Sequence, residues 1–416
     1  MWEILQFRTA LPSPRPSGRV NSILMAAIYM DANATTPVLP EVVAAMQPYW
    51  SDSFGNASSV HQRGQQARAA IDQARESVAG LIHCRPAEVV FTSGGTESDN
   101  LALFGVLGPG DHLVTTAIEH HAVLHAAEAL AGRGVEVTFV APTSAGVIDP
   151  EAIRAALRPH TRLVSVMLAN NETGVIQPLR QIAAIAHAAG ALVHTDAIQA
   201  GAKLPIDVAD LGCDLLSLSG HKMHGPQGIG VLYVSRKVKL NPLLFGGMHE
   251  RGRRPGTENV AGIVGLGRAA DLARNFLSSP DGRTDPPQNA AALAALRDQL
   301  EQGILERVSD AGVNGAGANR VANTTNLYFD GVDAEALIIA LDLKGLAISA
   351  GSACQSGATE PSHVLLAMGL PEARARASVR LSLSRLNSQS EVDTAIDLVS
   401  AAVSRLRTVT GAPTTR

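Results

Sequence analysis

The sequence predicts an α/β protein in which helices cover both faces of a mostly parallel sheet. Between residues 87 and 235, short β-rich runs alternate with helical patterns of about 10–15 residues, as in βαβ units. The strand-like runs are nearly apolar throughout, which is typical of strands buried on both faces. The chain has 416 residues, of which 46% are hydrophobic. This length is sufficient for two or three structural units, so we expect a large domain and a smaller α/β domain.

The elements of the large domain follow from local patterns. Each expected strand is a short apolar run, and each expected helix repeats its apolar residues at the spacing of an α-helix. Seven strands are expected, at residues 87–93, 111–118, 135–141, 162–170, 191–196, 214–219 and 228–235, with helices at 97–107, 122–134, 150–159 and 179–190.

A change of composition precedes the smaller domain. Residues 277–289 replace the periodic pattern with Pro, Gly, Ser and Asp, which indicates a linker. Beyond it, strands are expected at 323–329, 346–349 and 377–384, and a helix at 333–344. A last helix is expected to begin with a capping box of Ser388 and Glu391. Its apolar face comprises Val392, Ala395, Ile396, Val399, Ala402, Val403 and Leu406.

The first 27 residues differ from the rest of the chain. They carry Arg8, Arg15 and Arg19 and three prolines within residues 11–16, but no apolar stretch of a signal peptide, so we expect a disordered extension. Met25 precedes the first strand-like segment, and we hypothesise that it is the physiological start; the intact mass of the native protein would test this. The expected divisions are the extension 1–27, an N-terminal segment of the small domain 28–40, the large domain 41–278, the linker 279–290 and the small domain 291–416.

Composition and charge exclude several classes of protein. The net charge of −4 argues against nucleic acid or an anionic membrane as the main partner. No apolar run approaches the roughly 18–20 residues that a membrane span needs. The three cysteines, Cys84, Cys213 and Cys354, are far apart and form no CxxC pair, which excludes a disulfide framework and a zinc module. A reducing cytoplasm is the expected location.

Three polar features lie at the ends of predicted strands. Gly94, Gly95 and Thr96 join a strand to a helix whose free N–H groups would bind an anion, although such turns are often plain connections. Asp196 ends another strand, where a carboxylate is often only a helix cap. Lys222 follows a third strand, where most lysines are surface charges. A phosphate site, an acid and a lysine together are what pyridoxal phosphate requires.

The sequence resembles the cysteine desulfurases of the class V aminotransferase family, of the type that serves iron–sulfur cluster assembly. The resemblance runs from about residue 28 to 407 and implies the fold type I of pyridoxal-phosphate-dependent transferases. The matching segments are YMDANATTPV (29–38), GNASSVHQRGQQAR (55–68), TSGGTESDN (92–100), IEHHAVL (118–124), NNETGVIQP (170–178), HTDAIQAGAKLPID (194–207), LSGHKMHGPQGIG (218–230), ERGRRPGTEN (250–259), SAGSACQSGATEPSHVL (349–365) and SVRLSLSR (378–385).

The resemblance implies the contacts of the cofactor. Lys222 would carry pyridoxal phosphate as a Schiff base and move the Cα proton, and Asp196 would pair with the ring nitrogen. Gln199 would contact the ring oxygen, and His120 would stack on the ring and act as acid and base. The phosphate would be held by Gly95, Thr96, Ser219, His221 and, from the other subunit of a homodimer, Thr257.

The resemblance also implies the substrate and the nucleophile. Asn171, beside the cofactor, and Arg380 would bind the carboxylate of L-cysteine, for which the planar Arg fork is a natural partner. Cys354 lies among small and polar residues with little to pack against, and its thiolate would take the sulfur as a persulfide while L-alanine leaves. An iron–sulfur scaffold or another acceptor protein would then receive the sulfur. We expect Cys84 and Cys213, near apolar neighbours, to be inert.

Other assignments remain open at this level. The pairs His120–His121 and His221–His224 lack further ligands at convincing spacing, so we expect no structural metal site. Cys354 could serve as a transient ligand of a transferred iron–sulfur cluster. A selenocysteine lyase or related β-eliminating lyase, a transaminase, and an inactive scaffold of the same fold are the rival functions.

Overall fold

The computed structural model describes residues 28–280, 284–351 and 360–410. The predictions for residues 1–27 and for Cys354 lie outside these ranges. The strands are β1 (Ile28–Tyr29), β2 (Val89–Thr92), β3 (His112–Thr116), β4 (Glu136–Val140), β5 (Thr161–Ser165), β6 (Leu192–Asp196), β7 (Leu215–Ser219), β8 (Gly230–Val234), β9 (Ala311–Val313), β10 (Thr324–Phe329), β11 (Leu346–Ala347) and β12 (Ser378–Ser382). The helices are α1 (Pro40–Met46), α2 (Gln62–Ile82), α3 (Gly95–Val106), α4 (His121–Ala131), α5 (Pro150–Ala156), α6 (Leu179–Ala188), α7 (Val208–Leu211), α8 (Val260–Ser278), α9 (Ala290–Arg307), α10 (Ala334–Asp342), α11 (His363–Ala367), α12 (Glu372–Arg376) and α13 (Gln389–Thr410).

The large sheet has the predicted seven strands, in the order β2-β8-β7-β6-β5-β3-β4. Strand β8 is antiparallel to both of its neighbours, and the remaining pairs are parallel. A parallel connection needs a crossover of a dozen or more residues, whereas only the short segment 220–229 separates β7 from β8, so the chain turns back directly. The mostly parallel α/β fold predicted from the sequence is confirmed.

Helices cover both faces of this sheet. Consecutive residues of β2 alternate between the faces: Val89 and Phe91 belong to the core with α2, α5, α6 and α8, and Val90 to the core with α3 and α4. This double burial explains why the strands are apolar throughout. Of the helices described, none combines the length and apolar character that a bilayer crossing needs.

Helices α2, α8 and α9 have no counterpart among the predicted elements. In α8 the helical signal is weakened by Gly262, Gly265 and Gly267, because glycine disfavours helix interiors. The structure gives a reason for one of these glycines: a Cβ atom on Gly267 would come within 2.6 Å of Ala74 Cα on α2. Close packing of the two helices therefore requires glycine here.

The smaller unit has its own core and includes the start of the described chain. Strand β1 pairs with β11, and β10 lies between β12 and β9 in an antiparallel sheet. Met30 is fully buried among side chains of β10, β12, α9, α10 and α13. The predicted capping box of α13 is confirmed, since Ser388 N donates to Glu391 Oε2 at 2.9 Å and Glu391 N to Ser388 Oγ at 3.3 Å. Its predicted apolar face packs against the same core.

Candidate active site

The residues that the sequence places at strand ends meet at the carboxyl edge of the large sheet. Asp196 ends β6, Ser219 ends the adjacent β7, and Gly95 begins α3 directly after β2. Gly230 of β8 pairs with both Ser219 and the end of β2, so these segments lie side by side. A Cβ atom on Gly95 would overlap Ile198 Cδ1 and come 3.7 Å from Ser219 Cβ. A larger residue at position 95 would have to displace the Ile198 side chain.

The first turn of α3 is suited to a phosphate. Its N-cap, Gly94, has no side chain to occupy the free N–H groups of the helix, which attract anions. Thr96 lies in this turn, and Ser219 is buried beside Gly95. Burial and the nearby Lys222 lower the pKa of His221 to about 4, so its imidazole is neutral at pH 7. The turn itself offers free backbone N–H groups and the positive end of a helix dipole.

The amine of Lys222 is held by the N-terminal segment. Lys222 lies in a turn of 3₁₀ helix after β7, and its Nζ donates to the carbonyl oxygens of Asn33 at 2.5 Å and Ala34 at 2.6 Å. These two acceptors fix the amine at the carboxyl edge, near the strand end that carries Asp196. A fixed amine is what covalent attachment of an aldehyde requires.

Asp196 is a buried carboxylate with no ion-pair partner within the described ranges. It is 4% exposed, and its Oδ1 accepts a hydrogen bond from Ile198 N at 2.8 Å. Burial raises the pKa of Asp196, and the charge of Lys222 opposes this rise. A cationic ligand atom would stabilise the ionised carboxylate. The site therefore fits a protonated ring nitrogen, as in pyridoxal phosphate.

His120 caps helix α4 at this edge. Its Nδ1 accepts a hydrogen bond from Ala122 N at 3.1 Å, which leaves the proton of the neutral ring on Nε2. Burial and the charge of Lys222 lower the pKa of His120 to about 4. At pH 7 the ring is therefore neutral and suited to stacking on a cofactor.

Asn171 and Arg380 are brought together as predicted for a carboxylate site. Arg380, on β12, is 2% exposed; its Nη1 donates to the carbonyl oxygen of Asn171 at 2.9 Å and its Nη2 to Asp31 Oδ1 at 2.8 Å. Arg380 Nε and Asn171 Oδ1 are buried and have no hydrogen-bond partner among the residues that the structure describes. Unpaired buried polar atoms are costly, so these two favour a polar ligand beside them.

The described residues that flank Cys354 approach this carboxylate site. Gly351 O accepts a hydrogen bond from Arg380 Nη1 at 3.2 Å. Glu172, next to Asn171, accepts a hydrogen bond from Ser362 Oγ, and its Oε2 leaves no space for a Cβ atom on Gly351. Both flanking residues thus contact the same buried glutamate, beside Arg380.

Of the predicted cofactor contacts, Gln199 lies inside the site and Thr257 lies on the surface. Gln199 is buried, and its Nε2 donates to Asn33 O, the carbonyl that also accepts from Lys222 Nζ. Thr257 is exposed on the segment before α8, and Arg254 ties this segment to Glu97 of α3 at 2.8 Å. Gln199 therefore lies beside the lysine, whereas Thr257 faces outwards from its own chain.

Sequence reasoning did not single out Asn33, Glu172 or Lys203, although each lies within a motif of the resemblance. Their partners are distant along the chain: Asn33 Nδ2, for example, donates to Thr324 Oγ1 at 2.9 Å. Membership of a matching motif was the only signal available for these residues.

Cys84 and Cys213 pack against the apolar core, as the sequence predicted. Burial is the main cause that raises the pKa of each thiol to about 12, so little thiolate is present at pH 7. Among the described residues, no three His, Cys, Asp or Glu side chains form a group that could hold a metal ion.

A buried acid, a fixed lysine and a helix N-terminus lie together at the carboxyl edge of this sheet, an arrangement consistent with the fold type I of pyridoxal-phosphate-dependent enzymes. Residues 28–395 match the aminotransferase class-V family. The cysteine desulfurase of Bradyrhizobium diazoefficiens is 49% identical over 386 residues, which cover 92% of this chain and 96% of the relative. Cysteine desulfurase IscS of Methanosarcina thermophila is 45% identical, with 92% and 93% covered.

Solved structures agree with these relatives. A NifS-like protein superposes with a TM-score of 0.83 at 34% identity, covering 91% of this chain and all of that protein. The structure described as SspA in complex with cysteine gives a TM-score of 0.74 at 38% identity, with 86% and 98% covered. The chain belongs to the class-V aminotransferase family and, within it, to the cysteine desulfurases.

Proposed function

We propose that this enzyme removes sulfur from L-cysteine, releases L-alanine and carries the sulfur as a persulfide on Cys354 for iron–sulfur cluster assembly. The main support is the amine of Lys222, fixed by two carbonyl oxygens at the edge that carries the buried Asp196, which has no ion-pair partner among the described residues. The cysteine desulfurases that resemble the chain over 92% of its length support the substrate and product.

The residues at the sheet edge match the chemistry of pyridoxal phosphate. Lys222 would hold its aldehyde carbon and Asp196 its ring nitrogen, while neutral His120 and Asn171 would lie against the ring and Gln199 would contact the ring oxygen. When bound, the cofactor supplies an electron sink that lets the Cα–H bond of the amino acid break and weakens its Cβ–Sγ bond. The phosphate would be held by Gly95, Thr96, Ser219 and His221.

The chain's own groups bind the substrate and move protons. Arg380 and Asn171 would orient the carboxylate, which would accept from the buried Arg380 Nε, an atom with no hydrogen-bond partner among the described residues. Lys222 Nζ would take the Cα proton and return a proton as the product forms. His120 would supply the proton of Nε2 and take one back at that atom, because its Nδ1 accepts a hydrogen bond from Ala122 N.

Cys354 would complete the transfer as the thiolate. Its Sγ attacks the Sγ of L-cysteine, the S–S bond forms as the substrate's Cβ–Sγ bond breaks, and the electron pair left on the carbon skeleton is protonated to give L-alanine. One thiol and one L-cysteine thus give one persulfide and one L-alanine, and no external oxidant is needed. An acceptor protein or an added thiol then takes the terminal sulfur.

A homodimer is the proposed assembly. Five large apolar side chains are strongly exposed on the segments around 50–60 and 245–248, and Phe245 is 91% exposed. Clusters of this kind mark protein–protein contacts. The two segments lie close to each other, since Ser58 Oγ contacts His249 Nε2 at 3.3 Å, and residues 249–256 lead on to Thr257. This placement agrees with a Thr257 hydroxyl that would reach the phosphate site of the partner subunit. The exposed side chains are Trp50, Phe54, Val60, Phe245 and Met248.

The acceptor and the location are part of the proposal. An iron–sulfur scaffold or another sulfur-accepting protein would take the persulfide sulfur. A cytoplasmic location suits this chemistry, because Cys354 must be reduced before each turnover.

Incubation of the holoenzyme with L-cysteine that carries radioactive sulfur tests the proposal. We expect label on the Cys354 peptide that dithiothreitol releases, one equivalent of L-alanine, and loss of both in Cys354→Ser. Cys84→Ser is the matched control and should keep both. Sulfide release without label on Cys354 would favour a lyase, activity only with L-selenocysteine would favour a selenocysteine lyase, and a protein without a bound chromophore would favour a scaffold. Each of these results contradicts the proposal.

A further inference from the structure

Lys203 is a buried amine that the proposed mechanism leaves without a role. It lies on the turn that follows β6 and is 6% exposed. Burial, together with the charges of Lys222 and Arg380, lowers its pKa well below the usual range. Placing an amine in such surroundings is unfavourable unless its hydrogen bonds serve a purpose.

Both hydrogen bonds of Lys203 Nζ go to side-chain amides. Nζ donates to Gln199 Oε1 at 2.6 Å, one turn earlier, and to Asn33 Oδ1 at 2.8 Å. Gln199 Nε2 in turn donates to the Asn33 carbonyl oxygen at 3.0 Å. Lys203 Nζ donates to both amide oxygens, and the Asn33 carbonyl oxygen can only accept, so it must face Gln199 Nε2. The Gln199 amide therefore has one allowed orientation, with its oxygen towards Lys203.

This orientation controls what Gln199 can offer to a ligand. One proton of Nε2 is used by Asn33 O, and the second remains for another acceptor. Because Asn33 O also accepts from Lys222 Nζ, the amide lies beside the amine that would hold the cofactor's aldehyde carbon. The ring carbon next to that aldehyde carries the phenolate oxygen, which is an acceptor. A rotated amide would present its own oxygen to this anion.

We propose that Lys203 is a positioning residue that fixes the Gln199 amide so that an N–H group faces the cofactor's phenolate oxygen. This inference rests on the proposed function, since it assumes pyridoxal phosphate on Lys222. The N–H group stabilises the phenolate and weakens its hold on the proton shared with the Lys222 nitrogen. Loss of this donor raises the pH at which that proton leaves.

A double-mutant cycle of Lys203 and Gln199 in the holoenzyme tests this proposal. The measured quantity is the pH at the midpoint of the change in the visible absorbance of the bound cofactor. We expect Lys203→Met and Gln199→Ala each to raise this midpoint by about one unit, as for loss of one hydrogen bond to a charged atom. The double variant should match Gln199→Ala, because Lys203 acts only through that amide. Lys237→Met, at an exposed lysine, is the control and should match the wild type.

Two outcomes overturn the inference. One is an unchanged pH midpoint in Lys203→Met. The other is a shift in the double variant equal to the sum of the two single shifts, which would indicate a direct effect of the Lys203 charge. Lys203→Gln offers a second test, since it keeps an N–H donor without an amine; a midpoint close to the wild type supports positioning, and one as high as in Gln199→Ala contradicts it.

The same four proteins can also be compared by their dissociation constants for pyridoxal phosphate, which requires no pH titration. We expect a rise of about tenfold in each single variant and no further rise in the double variant. Additive rises, or none in Lys203→Met, would again contradict positioning. Failure of the proposed function looks different, because the wild type would then show no cofactor band or Lys222→Ala would retain it.

Discussion

The buried ion pair between Arg75 and Glu250 allows a quantitative prediction. Arg75, on α2, donates through both terminal nitrogens to the two oxygens of Glu250, at 2.7 Å each. Glu250 Oε2 also accepts from Phe91 N at 3.2 Å, and the pair is 5% and 3% exposed. Glu250→Gln retains the shape of the side chain and removes its charge. The change leaves Arg75 as a buried cation without a counter-ion.

The expected loss follows from these contacts. Two charge-assisted hydrogen bonds and one backbone bond are weakened, and the guanidinium remains desolvated. Removing one partner of a buried pair typically costs about 3–5 kcal/mol of unfolding free energy. Arg75→Met combined with Glu250→Leu removes both charges and should cost less than Glu250→Gln alone. An exposed pair such as Glu151–Arg154 stabilises weakly, so Glu151→Gln should change the unfolding free energy by less than about 0.5 kcal/mol.

Urea denaturation followed by far-ultraviolet circular dichroism measures these differences. All variants should contain the same excess of pyridoxal phosphate, because ligand binding adds to the apparent stability. The reasoning is refuted if Glu250→Gln lowers the unfolding free energy by less than about 1 kcal/mol, or if the double apolar variant is the least stable of the set.

Three further predictions concern single side chains. Lys222→Ala should remove the visible absorbance of the holoenzyme while Lys237→Ala keeps it; a yellow, borohydride-reducible Lys222→Ala protein would contradict the assignment. Burial raises the pKa of Glu119 to about 8, so the carboxyl must ionise on unfolding at neutral pH. The unfolding free energy of the wild type should therefore fall relative to that of Glu119→Gln by roughly 1.4 kcal/mol per pH unit from about pH 5 to 8, and the difference should level off below about pH 4.5. Urea midpoints of the two proteins that run parallel across this range would refute this prediction. Ser388→Ala should lower the unfolding free energy by about 1 kcal/mol through loss of the α13 cap, whereas Ser390→Ala should be nearly neutral, and equal losses in the two would contradict the capping role.

Local sequence patterns predicted most strands of the large sheet and some of the site residues at its carboxyl edge. The apolar strands and the Gly-Gly-Thr turn are visible in short windows, because their periodicity and turn residues act locally. Asp196 and Lys222 could be placed at the same edge from the order of parallel strands alone. Helix α8 was not predicted, since Gly262, Gly265 and Gly267 weaken its helical pattern, and Gly267 is the residue that lets it approach α2.

The contacts that orient the site residues could not be predicted from the sequence, because they join segments that are far apart along the chain. Asn33 contacts Lys203 and Lys222 in the large domain and Thr324 and Ser382 in the small unit. No local pattern records such contacts. The role of Arg380 could be proposed from its chemistry, but its engagement by Asp31 and by Gly351 required the fold.

The segment that holds the Lys222 amine would tie the proposed capture of the cofactor to the completion of folding. Asn33 and Ala34 provide the acceptors of the lysine amine, but their own segment is held by strands near the other end of the chain: Met30 N donates to Ala347 O at 2.9 Å and Asn33 N to Ser382 Oγ at 2.9 Å. Contacts between residues so far apart in sequence form late and slowly. During synthesis, the large sheet can therefore assemble before its lysine is held in place. The appearance of bound cofactor should report that the whole chain, and not the sheet alone, has folded.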